Sequence, residues 1–117
     1  MKIVITDKSG QILYEGSPSL HGNGLKIGSG NNCDIVLNKM GIAREHVQLR
    51  VNADGYLTLQ DLQTPYGLVV NGQKIQPGFF TSIEPGSYIE LAEEVFMMLQ
   101  PETGEAGSEE GSGGIFP

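Results

Sequence analysis

Short segments rich in β-branched and aromatic residues recur along the chain, and each ends at Gly, Pro, Asn or Asp. No stretch sustains the apolar spacing of an amphipathic helix. Many short strands separated by turn residues are typical of a β-sandwich or barrel. The sequence therefore predicts an all-β fold with strands over residues 2–6, 11–15, 25–27, 34–37, 46–51, 56–60, 67–70, 74–75, 79–81, 88–91 and 95–99.

The alternation of apolar and polar residues predicts which strand faces are buried. In residues 46–51 every second position is apolar, which places Val47, Leu49 and Val51 on one face. Residues 56–59 repeat the pattern. Asn71-Gly72 favours a tight hairpin, because both residues tolerate positive φ.

With 117 residues, the chain is long enough for one hydrophobic core, and we expect a single β domain over residues 1–100. Residues 101–117 are acidic, rich in Gly, Ser and Glu, and poor in apolar groups, which predicts a disordered tail or linker. The apolar triplet Ile115-Phe116-Pro117 has two interpretations: a docking peptide, or the cut end of a longer protein.

Charge and cysteine content indicate which classes of partner the chain can bind and in which cell compartment it belongs. Seven basic against fourteen acidic residues give a net charge of −7, which argues against nucleic acid and membrane as partners. No apolar run approaches the roughly 20 residues of a membrane span, and the N-terminus lacks a secretory signal. The lone Cys33 cannot form an internal disulfide, so we expect a cytoplasmic protein.

Motifs for catalysis or cofactors are not evident. Gly28-Ser29-Gly30 lacks a third glycine and leads into a predicted strand, whereas a nucleotide loop leads into a helix. His21, His46 and Cys33 have no metal-ligand spacing, and no nucleophile elbow occurs. We therefore expect no cofactor, no metal and no enzymatic activity.

Several short motifs occur in an order and spacing that resemble the forkhead-associated (FHA) domain over roughly residues 2–99. They are Ile27-Gly28, Cys33-Asp34-Ile35-Val36-Leu37, Ala43-Arg44-Glu45-His46-Val47, Asp61-Leu62-Gln63-Thr64-Pro65-Tyr66-Gly67, Val70-Asn71-Gly72 and Pro85-Gly86. The resemblance implies an eleven-stranded β-sandwich whose loops at one end grip a phosphothreonine peptide.

The resemblance also implies structural roles for framework residues. Gly28 would permit a tight backbone at the exit of its strand, and Asn71-Gly72 would close a hairpin. Cys33 and alternate residues of the 34–37 strand would pack inward. His46 matches a family histidine that braces the binding loops through hydrogen bonds; the alternative is that it contacts the ligand directly.

The recognition positions depart from the family pattern. Ser29 stands where the family has a phosphate-binding Arg, and Ala43 stands where it has a hydroxyl-donating Ser. The family's Asn-Gly-Thr becomes Tyr66-Gly67-Leu68, which replaces an amide by a phenol. These changes predict a retained fold with an altered binding site.

The leading hypothesis is a phosphothreonine-independent protein-interaction module or scaffold that uses its loop end or a sheet face. The first alternative is a phosphothreonine-peptide binder with an unusual anion site built from Arg44, Lys39, Asn31, Asn32 and Thr64. The second is a regulatory domain appended to a larger protein. The predicted partner-binding residues are Ser29, Gly30, Asn31, Asn32, Lys39, Arg44, Thr64, Pro65 and Tyr66.

Overall fold

The computed structural model describes residues 1–20, 22–62, 64, 67–76, 78 and 80–101. In that part of the chain all regular secondary structure is β, which confirms the predicted fold class. The strands are β1 (Lys2–Asp7), β2 (Ile12–Gly16), β3 (Leu25–Gly28), β4 (Ile35–Val36), β5 (Val47–Val51), β6 (Leu57–Asp61), β7 (Leu68–Val70), β8 (Gln73–Ile75), β9 (Phe80–Ile83), β10 (Tyr88–Ala92) and β11 (Val95–Gln100).

The eleven strands form two sheets. The six-stranded sheet has the order β2-β1-β11-β10-β7-β8, and the five-stranded sheet has the order β4-β3-β5-β6-β9. Neighbouring strands are antiparallel except β3 and β4. The acidic tail predicted after Gln100 lies outside the described residues, apart from Pro101.

The predicted strands match the observed ones within two residues at each end. The largest shortening is in β4, whose pairing with β3 is limited to Ile27–Ile35 and Gly28–Val36. The N–H groups of Asp34 and Leu37, on either side of β4, donate to the carbonyls of Lys26 and Gly28 at 2.9 and 2.8 Å. Tyr56 was predicted to begin β6, but it lies before the strand and its side chain is 65% exposed.

The core lies between the sheets and contains the predicted inward positions. Val47 and Leu49 are fully buried, and Val51 packs against the same cluster. In β4, Ile35 is buried while Val36 is 41% exposed, as strand alternation requires. Cys33 is buried, as expected for a small core residue.

The β7–β8 hairpin turns through Asn71 and Gly72, whose φ values are 51° and 84°. Two successive positive φ values are the geometry that an Asn-Gly pair adopts at low cost. The Asn71 side chain also accepts a hydrogen bond from Tyr88 N–H at 2.8 Å, which links this turn to β10.

Candidate functional site

Three loops that follow or precede strands of the five-stranded sheet meet at one end of the sandwich. Ile27 pairs with Val47, and Val47 pairs with Asp61, so the end of β3, the start of β5 and the end of β6 are level. We call this end, with residues 29–34, 37–46, Leu62 and Thr64, the loop end. It contains all the predicted partner-binding residues that the structure describes.

The first two loops are joined through their backbones. Ser29 N–H donates to the Ala43 carbonyl at 2.9 Å, and Gly30 N–H donates to the Arg44 carbonyl at 3.0 Å. A Cβ atom on Gly28 would lie 2.2 Å from the Arg44 carbonyl oxygen, so only glycine permits this approach. The pairing brings Ser29 beside Ala43, the two positions at which the sequence departs from the family's phosphate donors.

His46 holds the loop end to both sheets. Its ring Nδ1 accepts a hydrogen bond from Ala43 N–H at 2.9 Å, and its Nε2 is 2.5 Å from the Leu91 carbonyl in the opposite sheet. With Nδ1 accepting, the proton belongs on Nε2, which donates to Leu91. The backbone of His46 donates to Ile27 and accepts from Leu62, both at 2.9 Å.

The imidazole of His46 is fully buried, which fits the bracing role and leaves no surface for a direct ligand contact. Burial lowers the pKa of His46 below its ordinary value of 6.5, because the charged ring would lose its hydration. The hydrogen bond to Leu91 and the carboxylate of Asp61 act in the opposite direction. The neutral ring is therefore the form that the fold selects.

The loop after β6 is fixed by Asp61, a buried carboxylate. Its two oxygens accept hydrogen bonds from Thr64 N–H at 2.7 Å and from the Thr64 hydroxyl at 2.8 Å. Asp61 was not among the predicted site residues. The signal available in the sequence was an Asp followed three residues later by Thr, a spacing that suits local side chain-to-backbone bonding.

The structure uses several of the predicted binding groups internally. Thr64 is buried, and both of its donors go to Asp61. The Asn32 amide donates to the Glu45 carboxylate at 3.0 Å, and this bond is the main reason that the pKa of Glu45 is lowered. Lys26 lies 3.6 Å from the same carboxylate and lowers that pKa further.

The remaining predicted residues differ in exposure. Asn31, Lys39 and Arg44 are exposed, Ser29 is half-buried and Gly30 is buried. Within the described part of the chain, neither Lys39 nor Arg44 forms an ion pair. Pro65 and Tyr66 lie outside the described residues, so their predicted contacts stay predictions. Met40 follows Lys39 in the loop before β5 and is 95% exposed. It was not among the predicted site residues.

The grooves found among the described residues lie away from the loop end, and one of about 330 Å³ is lined by the β9–β10 turn, Val70 and Asn71. A groove of about 510 Å³ runs along β7, β8 and β9, and none of its lining residues belongs to the loop end. The described residues include no group of three or more His, Cys, Asp or Glu side chains placed to hold a metal ion. In the same part of the chain, no helix is long and apolar enough to cross a membrane.

Comparison with known proteins gives one family and many similar structures. Residues 16–102 match the family model described as "Inner membrane component of T3SS, cytoplasmic domain". No curated protein sequence gives a significant match.

Solved FHA domains have the same fold. The FHA domain of the CT664 protein from Chlamydia trachomatis is 23% identical, with a TM-score of 0.66 over 84% of this chain and 97% of that one. The N-terminal FHA domain of Rad53p from S. cerevisiae, solved in complex with a phosphothreonine peptide, is 19% identical, with a TM-score of 0.65 over 86% and 94% of the two chains. An FHA domain from Arabidopsis thaliana is 18% identical, with a TM-score of 0.68 over 91% and 90%. This chain therefore has the FHA fold that its motifs predict.

Proposed function

This chain belongs to the family of the cytoplasmic domain of the T3SS inner membrane component, and we propose that it is a protein–protein interaction module whose loop end binds its partner independently of phosphothreonine. The observation that carries the proposal is the pairing of Ser29 with Ala43 at the loop end. This pair brings together the two positions that carry phosphate donors in the FHA pattern. Here position 29 is Ser instead of Arg, and position 43 is Ala, whose side chain donates no hydrogen bond.

The backbone donors at the paired positions do not replace the lost side chains. The N–H groups of Ser29, Gly30 and Ala43 already donate to Ala43, Arg44 and His46 respectively. A hydrogen bond to a charged group contributes about 1.5–3 kcal/mol, so the loss of two such bonds weakens phosphate binding by roughly a hundredfold or more. The partner is therefore recognised by other features of the loop end.

The exposed side chains of the loop end are of types that bind the surface of a partner protein. Arg44 and Lys39 supply positive charge, and Met40 supplies a flexible apolar contact at a loop tip. Catalysis is not part of the proposal, because both ring nitrogens of His46 are engaged with backbone groups. We place the domain in the cytoplasm, in agreement with the family description.

A second candidate, phosphothreonine-peptide binding through an unusual site, is favoured by the exposure of Arg44 and Lys39 without ion pairs among the described residues. A third candidate is a regulatory domain appended to a larger protein, and the family description agrees with its appended character because it names one domain of an inner membrane component. The first two candidates differ in whether phosphate on the peptide raises affinity.

Fluorescence anisotropy with matched phosphothreonine and unphosphorylated peptide libraries tests the proposal. We expect the unmodified chain to bind both libraries equally. The Ser29→Arg/Ala43→Ser variant should favour the phosphorylated peptides by up to about a hundredfold at low salt, and less at high salt because screening weakens charged contacts.

The matched control is Ser17→Arg/Ala53→Ser, which makes the same two changes at exposed positions outside the loop end. This control should show no preference for phosphate. Tight binding of phosphorylated peptides by the unmodified chain would overturn the proposal and favour the second candidate, with Arg44 and Lys39 as phosphate ligands.

A further inference from the structure

The two sheets end side by side at β8 and β9. β8 is the last strand of the six-stranded sheet, and β9 is the last strand of the five-stranded sheet. The groove of about 510 Å³ lies between these two strands, and the groove of about 330 Å³ lies at the β9–β10 turn. The two grooves share Val70, Asn71 and Ser82, so they are continuous along β9. We call them together the edge groove, which is lined by residues 70–71, 73–76 and 81–87.

The backbone of β9 is open along the edge groove. β9 pairs with β6 on one side, and in an antiparallel strand alternate residues direct their N–H and C=O groups to opposite sides. Beyond this pairing, no hydrogen bond among the described residues uses the backbone of Thr81, Ser82 or Ile83. Ser82 is exposed and Thr81 is half-buried. The groups that point away from β6 are therefore available to a further strand.

The other three edge strands carry features that discourage strand pairing. β4 has only two residues, and β8 has Lys74 at its centre. β2 pairs with β1 in a broken register, and the ion pair between Lys2 and Glu15 joins these two strands at 2.6 Å. Short length, irregular register and charge are the usual protections of a sheet edge. β9 pairs in regular register over four residues and contains no charged residue or proline, so it is the edge best suited to accept a strand.

The charges at the two ends of the edge groove give a bound strand a direction. Lys74 lines the groove together with Thr81 near the start of β9, and Glu84 lines it just after the end of β9. Both side chains are exposed, and neither forms an ion pair with a described residue. A strand antiparallel to β9 would begin near Glu84 and end near Lys74. Its charges are complementary when a basic residue precedes the paired stretch and an acidic residue follows it.

We propose that β9 binds an extended segment of a partner protein, which joins the five-stranded sheet as an antiparallel strand along the edge groove. The segment has about four uncharged, strand-forming residues, preceded by Lys or Arg and followed by Asp or Glu. Backbone hydrogen bonds hold it, and the two charged ends fix its direction and register. No residue of the edge groove belongs to the loop end, so both surfaces can be occupied at once.

The probe is the capped synthetic peptide Arg-Thr-Val-Thr-Val-Asp, compared with the charge-reversed peptide Asp-Thr-Val-Thr-Val-Arg in NMR titrations of the full chain. We expect the first peptide to shift the amides of Thr81, Ser82 and Ile83. It should bind roughly tenfold more tightly than the second at low salt, because two exposed charge pairs change from repulsion to attraction. The variant Lys74→Glu/Glu84→Lys, altered only at exposed positions, should reverse this preference.

The matched control is Lys8→Glu/Glu94→Lys, which exchanges the partners of an exposed 3.5 Å ion pair outside the edge groove and keeps the net charge. This control should retain the preference of the unmodified chain. A preference that persists in Lys74→Glu/Glu84→Lys, or that is lost in the control, would overturn the proposed direction of the strand and the proposal with it.

Backbone N-methylation of the peptide separates strand addition from side-chain contact. In an extended strand the N–H groups of alternate residues point to the same side, so methylation of one alternate set should abolish binding and methylation of the other set should leave it unchanged. An equal effect of both sets, shifts at β2 or β4 in place of β9, or no shift at peptide concentrations on the order of millimolar would each overturn the proposal. None of these results depends on whether the loop end recognises phosphate.

Discussion

At the scale of single residues, His46 has the largest share in the geometry of the loop end. Its ring and backbone contact Ile27, Ala43, Leu62 and Leu91, which belong to both sheets and to two loops. The Nδ1 atom accepts a hydrogen bond, so a proton there would place two donors against each other. The bracing role therefore depends on the neutral ring.

This dependence predicts a loss of stability on mild acidification. Burial lowers the pKa of His46 in the folded state, so the unfolded chain binds the proton first as the pH falls through about 6.5. The free energy of unfolding should decrease between about pH 7.5 and 5.5, by at most about 1.4 kcal/mol per pH unit from this residue. Urea unfolding at several pH values measures the slope.

The control for this prediction is His46→Gln, which keeps a donor and an acceptor but does not titrate. The slope should be smaller in this variant, and an equal slope would assign the effect to other groups. The lowered pKa values of Asp7 and Glu45 act at lower pH, outside this window. If His46→Gln does not fold, an NMR titration of the His46 ring reports its pKa directly, and a value at or above 6.5 contradicts the prediction.

At the scale of strands, alternation separates core from surface within a few residues. Leu59 on β6 is 1% exposed in the core cluster, while the next residue, Gln60, lies on the outward face of the same strand and is half-buried. Removing a buried leucine side chain loses burial and leaves a cavity. Removing an outer glutamine side chain loses little.

We therefore expect Leu59→Ala to lower the free energy of unfolding by about 2–5 kcal/mol and Gln60→Ala to change it by less than about 0.5 kcal/mol. Chemical denaturation measures both, and the denaturant slope should stay constant if the unfolding remains two-state. Similar losses in the two variants would mean that the outer face of β6 is packed against something.

The same alternation explains why the strands could be predicted from the sequence. Apolar residues at every second position and a turn residue after each segment are local signals, as Asn71-Gly72 shows. Strand ends were less predictable. Asp34 was predicted to begin β4 but lies just before it, where it exchanges hydrogen bonds with the backbone of Lys26. This contact depends on a neighbouring strand that the local sequence does not specify.

Site residues were harder to predict, because their roles depend on which partner each donor finds. Asn32 and Thr64 were assigned to ligand binding, but their donors lie against Glu45 and Asp61. Only the resemblance to the FHA domain identified Ser29 and Ala43 as departures from the pattern of phosphate donors. Their closeness in space became visible only when the two loops were paired.

At the scale of the whole molecule, the loop end and the outward face of the five-stranded sheet both present exposed polar residues to a partner. The molecule is acidic, with a net charge of −7, so exposed cations are the minority and their positions are informative. Arg44 belongs to the loop end and Arg50 to the outward face of β5 in the five-stranded sheet, and both are exposed. This pair offers the same chemical change on two different surfaces.

The last prediction uses this pair to locate the partner surface and its dependence on phosphate. The unmodified chain, Arg44→Glu and Arg50→Glu are each used to capture proteins from a lysate that has or has not been treated with phosphatase. Phosphatase should leave the partners of the unmodified chain in place, because the paired loops at Ser29 and Ala43 lack the family's phosphate donors. Arg44→Glu should lose those partners, since reversing a charge in an interface places like charges or an unpaired carboxylate against the partner surface. Arg50→Glu should keep them. Loss with Arg50→Glu and retention with Arg44→Glu would move the interface to the five-stranded sheet, and loss on phosphatase treatment would show that the partner is recognised through its phosphate.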